Sequence, residues 1–176
     1  MKPLIEFVKI DGSATEELVV ISTETFVETF APTNSTESMA QYVAQNLTVA
    51  KLRQELECAD SAFYLLKVDS ELAGYLKLNF NEAQSDVKDA NAIEIERIYV
   101  KQAFQGQKLG LFLINKAIEI AKFEDKRYVW LGVWEHNHKA ISFYQRIGFV
   151  QFDSHEFKLG EEIQLDLMMK LELKEG

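Results

Sequence analysis

Apolar and polar positions follow two different periods along this 176-residue chain. A period of two, or a compact apolar run, marks a strand, and a period near 3.6 marks an amphipathic helix. Residues 4–10 alternate weakly and predict a first strand. Ser13 precedes Thr15-Glu16-Glu17 and the apolar run Leu18-Val19-Val20-Ile21. With Glu16 three residues further on, Ser13 predicts a capping-box entry into a helix over about 14–30. From Asn34 to Glu57, Met39, Tyr42, Val43, Leu47, Leu52 and Leu56 recur at helical spacing behind the polar entry Asn34-Ser35-Thr36-Glu37. That segment is expected to be mostly helical.

The pattern then switches. Phe63 to Val68 reads as a strand, Asp69-Ser70-Glu71 as a turn, and Leu72 to Phe80 as the hairpin partner. Asn81 to Ala90 is polar and predicts a loop, and Ala92 to Val100 is an isoleucine-rich strand. Over 109–122, Leu109, Leu113, Ala117 and Ala121 share a face that Phe112, Ile114 and Ile118 widen, while Lys108, Asn115, Glu119 and Lys122 mark the wet side. Tyr128 to Trp134 is the next strand, followed by a helix over about 137–146 that Gly148 ends. Strands over about 149–157 and 162–173 close the chain, turning at Leu159-Gly160.

Strand, helix and strand over 92–134 imply a right-handed parallel crossover, while the hairpins on either side are antiparallel. The expected fold class is therefore α/β (α+β mixed). It is one domain over 1–176, with a mixed, mostly antiparallel central sheet of about six to seven strands and helices packed on it.

Composition narrows the function. Hydrophobic residues at 47% and charged residues at 27% are those of a folded soluble protein. No apolar run approaches the ~20 residues of a bilayer span, so no membrane partner is expected. Glu6 and Lys9 interrupt the apolar stretch of MKPLIEFVKI, which argues against a signal peptide. Cys58 is the only cysteine, which fits a reducing compartment, and a cytoplasmic location is expected. Cys58 is read as a small buried hydrophobe rather than a reactive thiol. The formal net charge of −9, without clustered Lys and Arg, argues against nucleic acid. Acidity favours cationic partners, or serves solubility alone.

The stretch QGQKLG, Gln105 to Gly110, joins a strand to a helix. A helix N-terminus carries unpaired N–H groups and partial positive charge, and flanking glycines allow close backbone approach. The stretch is neither a P-loop nor a dinucleotide GxGxxG, and on its own it fits an anion cradle or a plain cap equally well. Downstream, Asn137, Ala140, Phe143, Tyr144, Gly148 and Phe149 spell N-x-x-A-x-x-F-Y-x-x-x-G-F. These two motifs, in order on strand, helix, strand and helix, resemble the GNAT superfamily of acetyl-CoA-dependent N-acetyltransferases. The N-terminal TFVETFAPTNSTESMAQYV, with RIYV and LGVWE, is similar to the PaiA-like spermidine/spermine acetyltransferases within it.

The resemblance implies acetyl-CoA as cosubstrate and no metal. It implies that the backbone of Ile98, Tyr99 and Val100 pairs with pantetheine between two parallel strands that splay apart in mid-sheet. It also implies that Gln105, Gly106, Gln107, Lys108, Leu109 and Gly110 hold the pyrophosphate. Lys108 stands where the family's first motif glycine falls. A left-handed backbone there costs Lys about 1 kcal/mol or more, whereas a right-handed one lets it serve as a first-turn cation or a bystander. Asn137 is expected to reach the pantetheine amide, to cap its helix, or both.

Tyr144 matches the family's general acid, and a phenol with pKa near ~10 holds its proton at neutral pH. It could also be a core aromatic beside Phe143. Glu94 and Glu96, two residues apart on one strand face, are candidate bases, with Glu96 preferred, or else ion-pair partners for the adjacent Arg97. Glu135, His136, His138 and His155 lack recognisable metal spacing and read as surface residues.

The acceptor is expected against residues 24–45, near Glu24, Glu28 and Glu37, and near Glu94. A small-molecule amine, above all a polyamine, fits those carboxylates, and so does a basic peptide N-terminus. A catalytically silent acyl-CoA-binding module needs the loop but not Tyr144. The oligomeric state is left open, with a homodimer as one option.

Overall fold

The protein is described by a computed structural model over residues 1–174. Its elements are β1 (Ile5–Ile10), α1 (Thr15–Phe30), α2 (Thr36–Asn46), α3 (Val49–Leu56), β2 (Ser61–Val68), β3 (Glu71–Asn79), β4 (Ala92–Val100), α4 (Leu109–Phe123), β5 (Tyr128–Trp134), α5 (His138–Ile147), β6 (Val150–Leu159) and β7 (Glu162–Glu172), with short 3₁₀ turns between them. The strands form one seven-stranded sheet in the order β1-β2-β3-β4-β5-β7-β6. Among the described residues, only the β4–β5 pair is parallel. Among the described residues, no helix is long and apolar enough to cross a membrane.

The sheet is covered on both faces. On one face, Leu76, Leu78, Ile93, Ile95, Val129 and Leu131 pack against α4 through Leu109, Leu113, Ile114, Ala117 and Ala121, with Tyr144 of α5 in the same core. On the other, Phe63, Leu65 and Tyr75 meet Leu18, Ile21 and Phe26 of α1, Met39 of α2 and Leu52 of α3. At about 25 cal/mol per Å² of apolar surface buried, these two layers dominate the folding energy.

Two sequence expectations change, and one that holds gains detail. Ser13 does not cap α1. The stronger acceptor Asp11 takes both the Ser13 N–H, at 2.9 Å, and its hydroxyl, at 2.6 Å, closing a 3₁₀ turn over Gly12–Ala14 before α1 begins. The segment 34–57 is mostly helical as expected and is divided into two helices, because Thr48 adopts an extended backbone (φ −88°, ψ 160°) and its hydroxyl accepts the Lys51 N–H at 3.2 Å, restarting the chain as α3. Cys58 is exposed rather than buried, since it lies just past the end of α3 and before β2.

Candidate active site

The centre of the sheet forks. β4 and β5 are paired only from Ala92↔Tyr128 to Ile95↔Leu131. Beyond that, β4 stays on β3 as far as Gly74↔Val100, and β5 stays on β7 as far as Trp134↔Asp166. The last halves of β4 and β5 thus each have a ladder on one side only. Ile98, Tyr99 and Val100 line one arm of this fork, and Gly132, Val133 and Trp134 the other.

At the end of β4 the chain turns into the QGQKLG loop. Gly106 (φ 85°) and Lys108 (φ 60°, ψ 24°) both adopt left-handed backbones. Lys108 is therefore the strained alternative, at a cost of about 1 kcal/mol relative to glycine. It is the N-cap of α4, with no side chain bonded across the cap. The first helical bond runs from the Phe112 N–H to the Lys108 carbonyl at 3.1 Å, so the N–H groups of Leu109, Gly110 and Leu111 precede the ladder and point out of the helix. Gln105, Gly106, Gln107 and Lys108 are exposed around them. Gln105 also braces the arm, its Nε2 donating to the Val100 carbonyl at 3.2 Å.

Glu24 and Glu28 hold the start of the same connection. Glu24 pairs with Lys101 at 2.8 Å, and Glu28 accepts the Gln102 N–H at 2.6 Å. These two carboxylates, expected at the acceptor, are thus engaged in fixing α1 to the loop, while Glu37 is exposed on α2.

The β4 arm carries a bulge. Leu78 faces Ile95 and Lys77 faces Arg97, so Glu96 is the extra residue and the strict alternation from Glu94 is lost. Arg97 forms a two-pronged bond to Glu55 of α3, both distances 2.9 Å. Glu96 pairs with Lys77, and Lys77 lies 3.5 Å from Glu55 and over the Phe63 ring at 5.3 Å. Burial alone would raise the Glu55 carboxyl, but the Arg97 guanidinium outweighs it and holds the group below the usual carboxylate range. Glu94 sits one step below the fork, opposite Trp130, and is 3% exposed. It accepts from Asn79 Nδ2 at 2.9 Å, the Ser85 N–H at 2.8 Å and the Ser85 hydroxyl at 2.5 Å. Burial nevertheless pushes its carboxyl up.

On the other face Tyr144 is buried between Phe143 and Phe149, and that burial pushes its phenol up to about 12. It lies close enough to Tyr99 to be one of the groups that raise that phenol further. Asn137 caps α5, its Oδ1 accepting the Ala140 N–H at 3.2 Å, which leaves its amide N–H groups as donors. His136 rests beside Glu135 at 3.3 Å. His155 instead stands on β6 between Asp86 and Asp166, and among the described residues no group of three such side chains could hold a metal ion.

Lys77, Glu55 and Asp166 were missed from the sequence. Lys77 stands as a lone charge inside the apolar stretch of β3, and Asp166 sits between Leu165 and Leu167 in β7, each a visible signal of an internal partner or a site. Glu55 has no such signal, because its role depends on where α3 lands.

The profile of the acetyltransferase (GNAT) family matches residues 23–149. An uncharacterized N-acetyltransferase from the pepI 3′ region of Lactobacillus delbrueckii subsp. lactis is 42% identical, over 94% of this chain and 96% of its own length. The spermidine N(1)-acetyltransferase of Thermoplasma acidophilum is 27% identical, over 82% of this chain and 88% of its own. The crystal structure of the PaiA N-acetyltransferase of Thermoplasma acidophilum in complex with coenzyme A matches with a TM-score of 0.78 at 25% identity, covering 97% of this chain and 99% of that one.

Proposed function

Because the chain belongs to the GNAT acetyltransferase family and takes acetyl-CoA as its cosubstrate, we propose that it acetylates a primary amine of a polyamine such as spermidine or spermine. The observation that carries this reading is the fork. It leaves one edge of β4 without a partner, beside a loop whose free N–H groups suit a pyrophosphate. An extended pantetheine chain adds to such an edge as a strand would, through the backbone of Ile98, Tyr99 and Val100. The residues 105–110 hold the pyrophosphate, and the Asn137 amide donates to the pantetheine arm. The polyamine assignment is supported by the named substrate of the Thermoplasma relative and by the carboxylates around the fork.

Tyr144 acts as the general acid. Its raised pKa keeps it protonated across the neutral range, and it delivers that proton to the departing sulfur. A peptide α-amine is the competing acceptor.

The test is thiol release from acetyl-CoA with spermidine, spermine and a basic peptide as acceptors. Turnover with the polyamines and not with the peptide is expected. Turnover with the peptide alone reassigns the acceptor. Tight acetyl-CoA binding with no turnover on any amine would make the protein a silent acyl-CoA-binding module.

A further inference from the structure

An acceptor amine arrives as an ammonium ion and must lose a proton before it can attack. The two glutamates of β4 are committed to other partners: Glu94 to three donors, Glu96 to Lys77 with Arg97 alongside. The opposite arm of the fork carries a different group of side chains.

Gly132 is the first residue of β5 past its last pair with β4, and although it lies on a central strand it is exposed. An added Cβ at Gly132 would stand 3.4 Å from Asp166 Oδ2 and 3.5 Å from His155 Cε1. The open floor of the fork is therefore bordered by these two side chains, which face each other across the β6–β7 ladder. Asp166 Oδ2 is 3.8 Å from His155 Nε2, a gap that a small rotation or one bridging water closes. His155 Nδ1 is buried without a hydrogen bond and lies 3.3 Å from Asp86 Oδ2, in the loop between β3 and β4, so that a small turn of either side chain joins them. Exposure rises outward along the chain of groups, from 17% for Asp166 to 29% for His155 and 47% for Asp86.

We propose that Asp166 accepts the acceptor's ammonium proton and that His155 and Asp86 pass it to solvent. The proposal deepens the transferase reading and rests on it. The charged and titratable groups facing Asp166 are His155 from β6, with Asp86 behind it, and Tyr42 from α2. Burial raises the Tyr42 phenol, and Asp166 adds to that rise. Burial raises the Asp166 carboxyl, with His155 pulling it partly back, so the group is a better proton acceptor than an exposed aspartate.

The protons balance as follows. The ammonium N–H bond breaks, its proton goes to Asp166, and the electron pair stays on nitrogen to form the bond to the acetyl carbon. Asp166 passes the proton to His155 Nε2, while the proton on His155 Nδ1 leaves through Asp86 to water. When the carbon–sulfur bond breaks, Tyr144 gives its proton to sulfur, and the second proton lost from nitrogen restores the phenol. One proton is released per acetyl transferred.

The test uses the full chain with acetyl-CoA and spermidine, and reads kcat and kcat/KM against pH together with the melting temperature. Asp166→Asn is expected to lower kcat/KM about 100-fold at pH 7. The loss should shrink as pH approaches the amine's own pKa, near ~10, where the acceptor arrives neutral. His155→Gln is expected to lower kcat about tenfold with KM and melting temperature unchanged, less than loss of the acceptor itself. The relay is overturned if Asp166→Asn keeps the wild-type rate and profile, if its loss is the same at every pH, as a structural role would give, or if Glu96→Gln shows the pH-dependent loss instead. A wild type that turns over no amine overturns the transferase reading and the relay with it, whereas turnover with any of the other outcomes overturns the relay alone.

Discussion

The two arms of the fork both present carboxylates on strands and treat them in opposite ways. On the β4 arm, Glu55 and Glu96 meet Lys77 and Arg97 in a compact cluster with matched charges, closed over by α3. On the β5 arm, Asp166 of the neighbouring β7 has a single imidazole at 3.8 Å and an exposed glycine in front of it. A carboxylate that two cations already satisfy acts as a strut. Its value lies in holding strand to helix. A carboxylate that burial strains and only one weak partner relieves keeps affinity in reserve. The arms differ because the bulge at Glu96 turns that side chain toward Lys77 and Arg97, whereas β7 runs past Asp166 without interruption.

The largest effect should come from breaking the strut. Arg97→Ala leaves Glu55 and Glu96 with one cation between them, and chemical denaturation is expected to show a loss of about 3–5 kcal/mol. A loss under about 1 kcal/mol would mean the cluster behaves like surface ion pairs and the contrast between arms is false. Tyr144→Phe leaves the ion pairs of both arms in place. It should lower kcat about 100-fold while acetyl-CoA affinity and melting temperature stay near wild type, and an unchanged kcat would remove the general-acid role. The smallest effect belongs to the loop between the arms and the cofactor. Lys108→Gly relieves a left-handed backbone and is expected to raise stability by about 1 kcal/mol in thermal unfolding. A loss of acetyl-CoA affinity in the same variant would show that the lysine charge contributes to binding despite its strain.

Much of the fold was legible because its elements announce themselves locally. β4 and β5 are observed with the expected limits, since their apolar runs end in polar or turn-forming residues. The alternation of hairpins with one strand-helix-strand unit fixed the mixed sheet. What stayed hidden depends on contacts remote in sequence. Nothing local says that β4 and β5 part after Ile95, that Glu96 bulges, or that Glu24 and Glu28 of α1 reach Lys101 and Gln102. Thr48 was readable in principle, because Thr before a new amphipathic run is a good cap, but the continuing helical spacing from Val43 through Leu52 masked it. Lys108 shows the same limit at a single residue. Its type argues for a right-handed backbone, and the loop overrides it.

The fork also redistributes the edges of the sheet. Most sheets carry their open backbone at the rim, where another protein can add to it and start aggregation. Here β1 and β6 form the rim, but the last halves of β4 and β5 are edges as well, and they face each other inside the molecule. Amides there have a ladder partner on one side only, so hydrogen exchange should find the middle of this sheet less evenly protected than its paired neighbours. The chain thereby keeps part of its capacity to pair with extended molecules in the middle of its sheet rather than at the rim.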